Sequence, residues 1–174
     1  RVVSILLFGL MSLSVQAESS PPLTHKLTSL TERPPAPALK LRDIDDVEFD
    51  ITQLRGKVVV VNFWATWCPP CRREMGSMER LYESTKSLEV EILAVNVGED
   101  IDTVFSFIGT VEPSPTFPLL LDENADSLQA WSVKGLPTTY IVAPDGTLAY
   151  RAVGGREFDH PNIQQAIADL HQQE

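Results

Sequence analysis

Both cysteines of the chain stand two residues apart in the stretch Trp64-Ala65-Thr66-Trp67-Cys68-Pro69-Pro70-Cys71. A disulfide that closes so short a loop stabilises by only about 2 kcal/mol, against about 4.7 for a loop of 100 residues. Such a bond is a weak brace and is better suited to opening and closing. The chemistry it suits is thiol–disulfide exchange, in which a thiolate attacks a disulfide sulfur. Two plainer readings compete. Half a zinc site would need further ligands, but there is no second cysteine pair, and His25, His160 and His171 lack ligand spacing. The other is a pair of buried, inert cysteines.

The elements that must position the pair favour reactivity. Lys57 to Trp64 is short, β-branched and almost wholly apolar, as a strand buried on both faces would be. Pro69 and Pro70 suit the first turn of a helix, where a missing N–H costs nothing and φ is already helical. The helix continues through Met75, Met78, Leu81, Tyr82 and Leu88, an apolar stripe. Cys68 then falls at the helix N-terminus, where free N–H groups and the macrodipole favour an anion. A thiol pKa lowered from about 8.5 to about 6.5 raises the ionised fraction at pH 7 from about 3% to about 76%. Cys71 lies one turn later on the same face and deeper. The expectation is that Cys68 attacks a substrate disulfide and Cys71 resolves the mixed disulfide.

The 174 residues, 43% hydrophobic, allow one domain with a real core plus an appendage. The appendage is N-terminal. Residues 1–17 carry Arg1, an apolar run and Val15-Gln16-Ala17 as a cleavage site, so they read as a signal peptide truncated at its start. The run falls short of the roughly 20 residues of a comfortable span, which leaves an uncleaved anchor as the alternative. Residues 18–35, rich in Pro, Ser and Thr, read as an extended linker, and residues 36–174 as the domain. Export places the thiols where disulfides persist, so a partner must maintain the pair. The formal charge of −10 becomes −11 without Arg1, the one charge in residues 1–17. That balance disfavours nucleic acid and anionic membranes, and solubility accounts for it.

Farther along, Asp45-Asp46 reads as the turn of a hairpin with Val47, Phe49 and Ile51 alternating. Val90 to Val97 is a second buried strand, so strand, helix and strand make a parallel βαβ unit. Asp100 to Thr110 reads as a helix with Val104, Phe105 and Ile108 inward, and Phe117 to Leu121 as a short strand. Asn124 to Ser132 reads as a helix packed through Leu128 and Trp131. Thr138 to Val142 and Thr147 to Val153 are antiparallel strands joined by Ala143-Pro144-Asp145-Gly146. Pro161 opens a last helix with Ile163, Ala166, Ile167 and Leu170 inward. The fold class is α/β, a mixed sheet with helices on both faces.

This arrangement looks like the thioredoxin fold. Gly56 to Met75, then Val95-Asn96-Val97-Gly98-Glu99, then Gly135-Leu136-Pro137-Thr138-Thr139-Tyr140-Ile141 resembles the TlpA/ResA/DsbE group of exported thiol–disulfide oxidoreductases. The likeness covers roughly residues 36 to 170. The helix and strand between Asp100 and Leu121 fall where that group carries an insertion in the thioredoxin core. Where thioredoxins carry a buried Asp, this chain has Asn62, which cannot move a proton. The resemblance points instead to Glu74, three residues past Cys71 and on the same helix face, as the acceptor of the Cys71 proton. The plainer reading is an early-helix glutamate favoured by the dipole. Glu99 matches a second acid near the site. Pro137 resembles the cis-proline opposite the cysteines, with Leu136 offering backbone hydrogen bonds to an extended substrate. Trp67 then forms an apolar lip beside Cys68, Trp64 is core, and Trp67, Pro69, Pro70, Leu136 and Pro137 make the substrate-binding surface. Gly76 stands where the group has a helix-kinking proline, which puts the kink in doubt.

The resemblance implies a periplasmic disulfide reductase with no cofactor beyond the Cys68–Cys71 disulfide and no metal. A membrane electron donor of the DsbD/CcdA type would keep it reduced. Its substrates would be oxidised protein thiols, such as apocytochrome c or a copper-site assembly protein. A thiol peroxidase shares the fold but resembles a Thr-x-x-Cys arrangement, whereas Thr66 lies two residues before Cys68. A copper chaperone using the two thiols as soft ligands is the non-enzymatic alternative.

Overall fold

The continuous apolar run before the cysteines needs neighbours on both sides and cover on both faces, and the fold supplies all four. The computed structural model describes residues 22–172. In chain order the strands are β1 (Thr28–Ser29), β2 (Lys40–Arg42), β3 (Glu48–Asp50), β4 (Val58–Trp64), β5 (Val90–Val97), β6 (Leu119–Asp122), β7 (Thr138–Val142) and β8 (Leu148–Val153). The helices are α1 (Pro69–Thr85), α2 (Ile101–Ile108), the single turn α3 (Ser127–Ala130) and α4 (Pro161–His171). One sheet has the order β1-β8-β7-β4-β5-β6. Strand β4 is central, parallel to β5 and antiparallel to β7, and every residue in it is buried.

Alternate residues of β4 serve two cores. Val58, Val60 and Trp64 pack against α1, α2 and α4 through Met75, Met78, Leu81, Phe107 and Ile163. Val59, Val61 and Phe63 face the opposite side, which Leu39, Ile51, Trp131 and Leu148 close. Helices cover both faces of the thioredoxin-like sheet, but unequally. The three long ones share the face that carries the cysteines, while α3, a 3-10 turn at Ile51–Leu54 and the β2–β3 hairpin cover the other.

Several expectations change in detail. The inward stripe of α2 is Val104 and Phe107, and Phe105 points to solvent. Residues 104, 107, 108 and 111 share one face at helical spacing, and Phe107 is held there by the Trp64 ring 5.5 Å away. Ala166 is only half-buried, with Ile163, Ile167 and Leu170 carrying the α4 contact. Between Asn124 and Ser132 only one helical turn forms. Residues read as linker are extended, but from Thr24 to Pro35 they are hydrogen-bonded along the sheet. Leu30 donates to the Ala149 carbonyl at 2.9 Å, and Thr28 and Ser29 pair with Arg151 and Tyr150. A composition poor in periodicity conceals an edge strand, because a two-residue strand needs only backbone groups. The signal-peptide or anchor reading of residues 1–17 lies outside the described residues.

Gly76 also has a structural account. A Cβ there would lie 3.0 Å from the Glu112 carbonyl oxygen and 3.4 Å from Pro113 Cδ, so the bare helix face admits the loop after α2. Helix α1 runs unbroken through it.

Candidate active site

Strand β4 ends at Trp64, and the short turn to Pro69 places Cys68 at the N-cap of α1. Its backbone is extended, with φ −88° and ψ 106°, and its Sγ accepts from the Cys71 amide at 3.4 Å. Pro69 and Pro70 occupy the first helical positions and have no N–H to offer. The first helix amide free to face the sulfur is therefore that of Cys71. The sulfur faces that amide at the positive end of α1, which favours negative charge on Cys68 once the disulfide opens. In the structure the sulfurs are bonded, 2.05 Å apart, with Cα atoms 5.3 Å apart. Cys71 is fully covered, whereas Cys68 keeps 3% of its surface open.

Around that opening, Trp67 is 68% exposed and Trp64 is fully buried. The Leu136–Pro137 peptide bond is cis, and the Pro137 carbonyl accepts from Gly154 at 2.8 Å. The β7 ladder begins only at Thr138, leaving Leu136 outside it. Trp67, Val97, Leu128, Val133 and Leu136 line a groove of about 450 Å³, with Lys134 at its wall.

Behind the cysteines lies Glu74, with no exposed surface. Its Oε1 accepts from Asn62 Nδ2 at 2.8 Å and its Oε2 from the Arg156 amide at 2.9 Å. Asn62 Nδ2 also donates to Thr139 Oγ1 at 2.9 Å, and Asn62 Oδ1 is buried without a partner. Burial pushes the Glu74 carboxyl up to about 8; the Arg156 amide, Asn62 and the Arg156 guanidinium oppose this less strongly. The carboxyl accepts from β4 and from the loop before α4 rather than from the amides of its own helix, so it does not act as a helix cap. Glu99 is placed differently. It accepts from Thr66 N at 2.8 Å, Thr66 Oγ1 at 2.5 Å and Asn96 Nδ2 at 2.7 Å, tying the end of β5 to the turn that carries Cys68.

Residues 33–151 match the AhpC/TSA family. The chain belongs to that family. It is 38% identical over 126 residues to the thiol-disulfide oxidoreductase ResA of Bacillus subtilis, covering 72% of this chain and 69% of that one. The ResA of Geobacillus thermodenitrificans is 38% identical over 145 residues, covering 83% and 80%. Among solved structures, a thiol:disulfide interchange protein of the thioredoxin family from Chlorobium tepidum superposes with a TM-score of 0.66 at 26% identity. That match covers 78% of this chain and 97% of that one. The chain is a thiol–disulfide oxidoreductase with a thioredoxin-like fold.

In this AhpC/TSA-family oxidoreductase, the turn after β4, the N-terminus of α1 and the cis-proline loop bring Cys68, Cys71, Trp67, Pro69, Pro70, Leu136 and Pro137 to one end of the sheet. Glu74 lies beneath them, and Glu99 braces the turn from the side. Sequence reasoning set Asn62 aside as unable to move a proton, yet its amide holds the carboxyl that can. It missed Arg156 and Thr139 altogether. Arg156 is 82 residues from Glu74 and acts through its backbone, which carries no residue-type signal. A carboxyl with a pKa near 8, one helical turn from a buried cysteine, can take up and return a proton near neutral pH. Among the described residues no group of three or more His, Cys, Asp or Glu side chains is placed to hold a metal ion.

Proposed function

We propose that this oxidoreductase is a periplasmic disulfide reductase acting on cysteine pairs of partner proteins, of the cytochrome c maturation or copper-site assembly type. The observation that carries the reading is the asymmetry of the pair. Cys68 has the slight exposure, the facing amide and the helix N-terminus; Cys71 is fully buried, with Glu74 one turn behind it. Cys68 thiolate attacks one sulfur of the substrate disulfide and expels the other as a thiolate. The Cys71 thiol passes its proton to Glu74 and attacks Cys68, releasing the second substrate thiolate and closing the Cys68–Cys71 bond. Two electrons pass to the substrate, and a membrane donor of the DsbD/CcdA type returns them to the pair. An extended substrate segment lies along Leu136 as a short added strand, with Trp67 as the apolar lip and Pro137, Pro69 and Pro70 as the floor.

The thiol-disulfide oxidoreductase name of the ResA relatives supports thiol–disulfide exchange over peroxide chemistry. Thr66, the hydroxyl nearest in sequence to Cys68, donates to Glu99 Oε1, which leaves the peroxidase reading without its activating group. The copper-carrier reading has no third His, Cys, Asp or Glu side chain grouped with the pair among the described residues.

The equilibrium reduction potential tests the direction of electron flow, followed by Trp64 and Trp67 fluorescence in thiol redox buffers. A value near thioredoxin's, about −270 mV, is expected of a reductant, whereas a value near DsbA's, about −120 mV, overturns the reading.

A further inference from the structure

The chain ahead of the domain reaches the redox site through a single loop, residues 154–156, between β8 and α4. Gly155 lies between two segments. A Cβ there would fall 2.6 Å from Leu23 Cδ2, 3.2 Å from the Pro70 carbonyl oxygen and 3.3 Å from Pro70 Cβ. Arg156 then gives its amide to Glu74 Oε2. Its guanidinium binds three carbonyls: Lys26 O at 2.7 Å through Nε, and Gly154 O at 2.8 Å and Gly155 O at 3.1 Å through Nη1. Backbone bonds close the same clasp. Thr24 N donates to Gly155 O at 3.3 Å, and Glu157 N donates to Thr24 O at 2.8 Å. Past this point Leu27 packs against the core on the α1 side, and Thr28 and Ser29 pair with β8.

The cover over Glu74 is therefore two layers thick. The inner layer is a loop with two adjacent glycines, one of them at φ +85°, and such a segment is entropically costly to order. Its order comes from what lies on either side of it: α1 within, and the Leu23–Ser29 segment without.

We propose that Leu23, Thr24 and Arg156 are positioning residues of the redox site. Docked, the strap Leu23–Ser29 clamps Gly155 against Pro70 and the Arg156 amide onto Glu74. Released, it admits water to the carboxyl and frees that amide. The consequence for catalysis rests on the reading of Glu74 as the proton acceptor for Cys71. The groups facing Glu74 are few: Asn62 from β4, with Thr139 of β7 behind it, Cys71 one turn back on α1, and Arg156 from the loop. Of these only the Arg156 guanidinium is charged, so the variants that test the strap leave it in place.

The test uses the oxidised full chain and two variants, Leu23→Ser/Leu27→Ser and, separately, Thr24→Pro, which removes the amide donated to Gly155. Carboxyl-carbon NMR follows the titration of Glu74, and hydrogen exchange follows the Arg156 amide. Water relieves the burial that is the larger cause of the raised pKa and replaces the freed Arg156 amide as donor, so the Glu74 midpoint should fall from about 8 by about one pH unit or more, a tenfold change in proton affinity. Exchange at Arg156 should rise about tenfold in parallel. A midpoint that stays at about 8 in both variants overturns the proposal, because the strap is then packing with no hold on the site. The rate at which Cys71 resolves a mixed disulfide is measured on the same proteins after reduction. A shifted midpoint with an unchanged rate refutes the role of Glu74 and leaves the strap's hold on the carboxyl standing.

Discussion

Replacing Glu74 by glutamine keeps the shape of the side chain and removes its titration. With the carboxyl at about 8, about one molecule in eleven carries the carboxylate at pH 7 and about half do at pH 8. The fold should tolerate the change. Glutamine Oε1 still accepts from Arg156, and its amide can face Asn62 Oδ1 once the Asn62 amide turns over. The reversal gives that oxygen a partner and leaves the Asn62 amide nitrogen without one in its place, so the number of unpaired buried groups is unchanged. The rate should not tolerate it, since a positioned base contributes about 10²–10⁴-fold. Scaled by the ionised fraction, resolution of the mixed disulfide by Cys71 should slow about 10-fold or more at pH 7 and about 50-fold or more at pH 8. The assay is a single turnover: reduced protein meets a disulfide peptide, acid quenches the reaction, and mass spectrometry counts the mixed disulfide. Wild type should show a rate that climbs with a midpoint near 8, and Glu74→Gln should lack that step. Resolution within twofold of wild type at both pH values would refute the assignment of the proton to Glu74.

Two other substitutions test the site and its frame. Cys71→Ser should accumulate a covalent adduct between Cys68 and substrate, visible as a mass increase lost on reduction; Cys68→Ser should form none, and adducts in both would show that the roles are shared. Gly76→Leu should lower stability in urea by about 1–3 kcal/mol, although leucine is the better helix former by about 1 kcal/mol, because the Glu112 carbonyl occupies the space. A more stable variant would mean that the loop after α2 is free to move off the helix.

How much of this was legible in the residues depends on where the information lies. The valine run, the two prolines and the cysteine spacing are properties of contiguous sequence, and they give β4, the start of α1 and the N-cap sulfur directly. The inward face of α2 was misassigned at Phe105 because Phe105, Phe107 and Ile108 all look apolar, and only the presence of Trp64 decides which ring turns in. The strap reads as linker because much of its docking is through backbone groups, which are the same in every residue, and its few apolar anchors, Leu23 and Leu27, show no period. The environment of Glu74 was illegible for the same reason. The Arg156 amide that bonds it comes from the loop before α4, Thr139, which holds Asn62 in place, comes from β7, and neither announces a role in composition.

The buried acid also leaves a mark on stability, and its sign is unusual for a carboxylate. In the unfolded chain Glu74 titrates near 4.5, and in the fold near 8. Below 4.5 both states hold the proton and the neutral carboxyl contributes its full stabilisation relative to the charged form. Between 4.5 and 8 the native state holds a proton that the unfolded chain has lost, so stability falls as pH rises, by about 1.4 kcal/mol per unit. Across the window the loss is roughly 5 kcal/mol, and it is complete once pH passes the folded value. Glutamine cannot titrate, so the difference between wild type and Glu74→Gln isolates this group from the other carboxylates. Urea unfolding of the oxidised proteins at pH 5, 6, 7 and 8 should show wild type losing stability relative to the variant at each step. A constant difference, or one that grows with pH, would place the carboxylate in a solvated or well-paired setting. A salt-bridged or capping acid would have that opposite slope, because its partners stabilise the charge. Falling stability toward pH 8 is what the burial of Glu74 requires, and the same burial keeps its proton within reach of the cysteine pair at neutral pH.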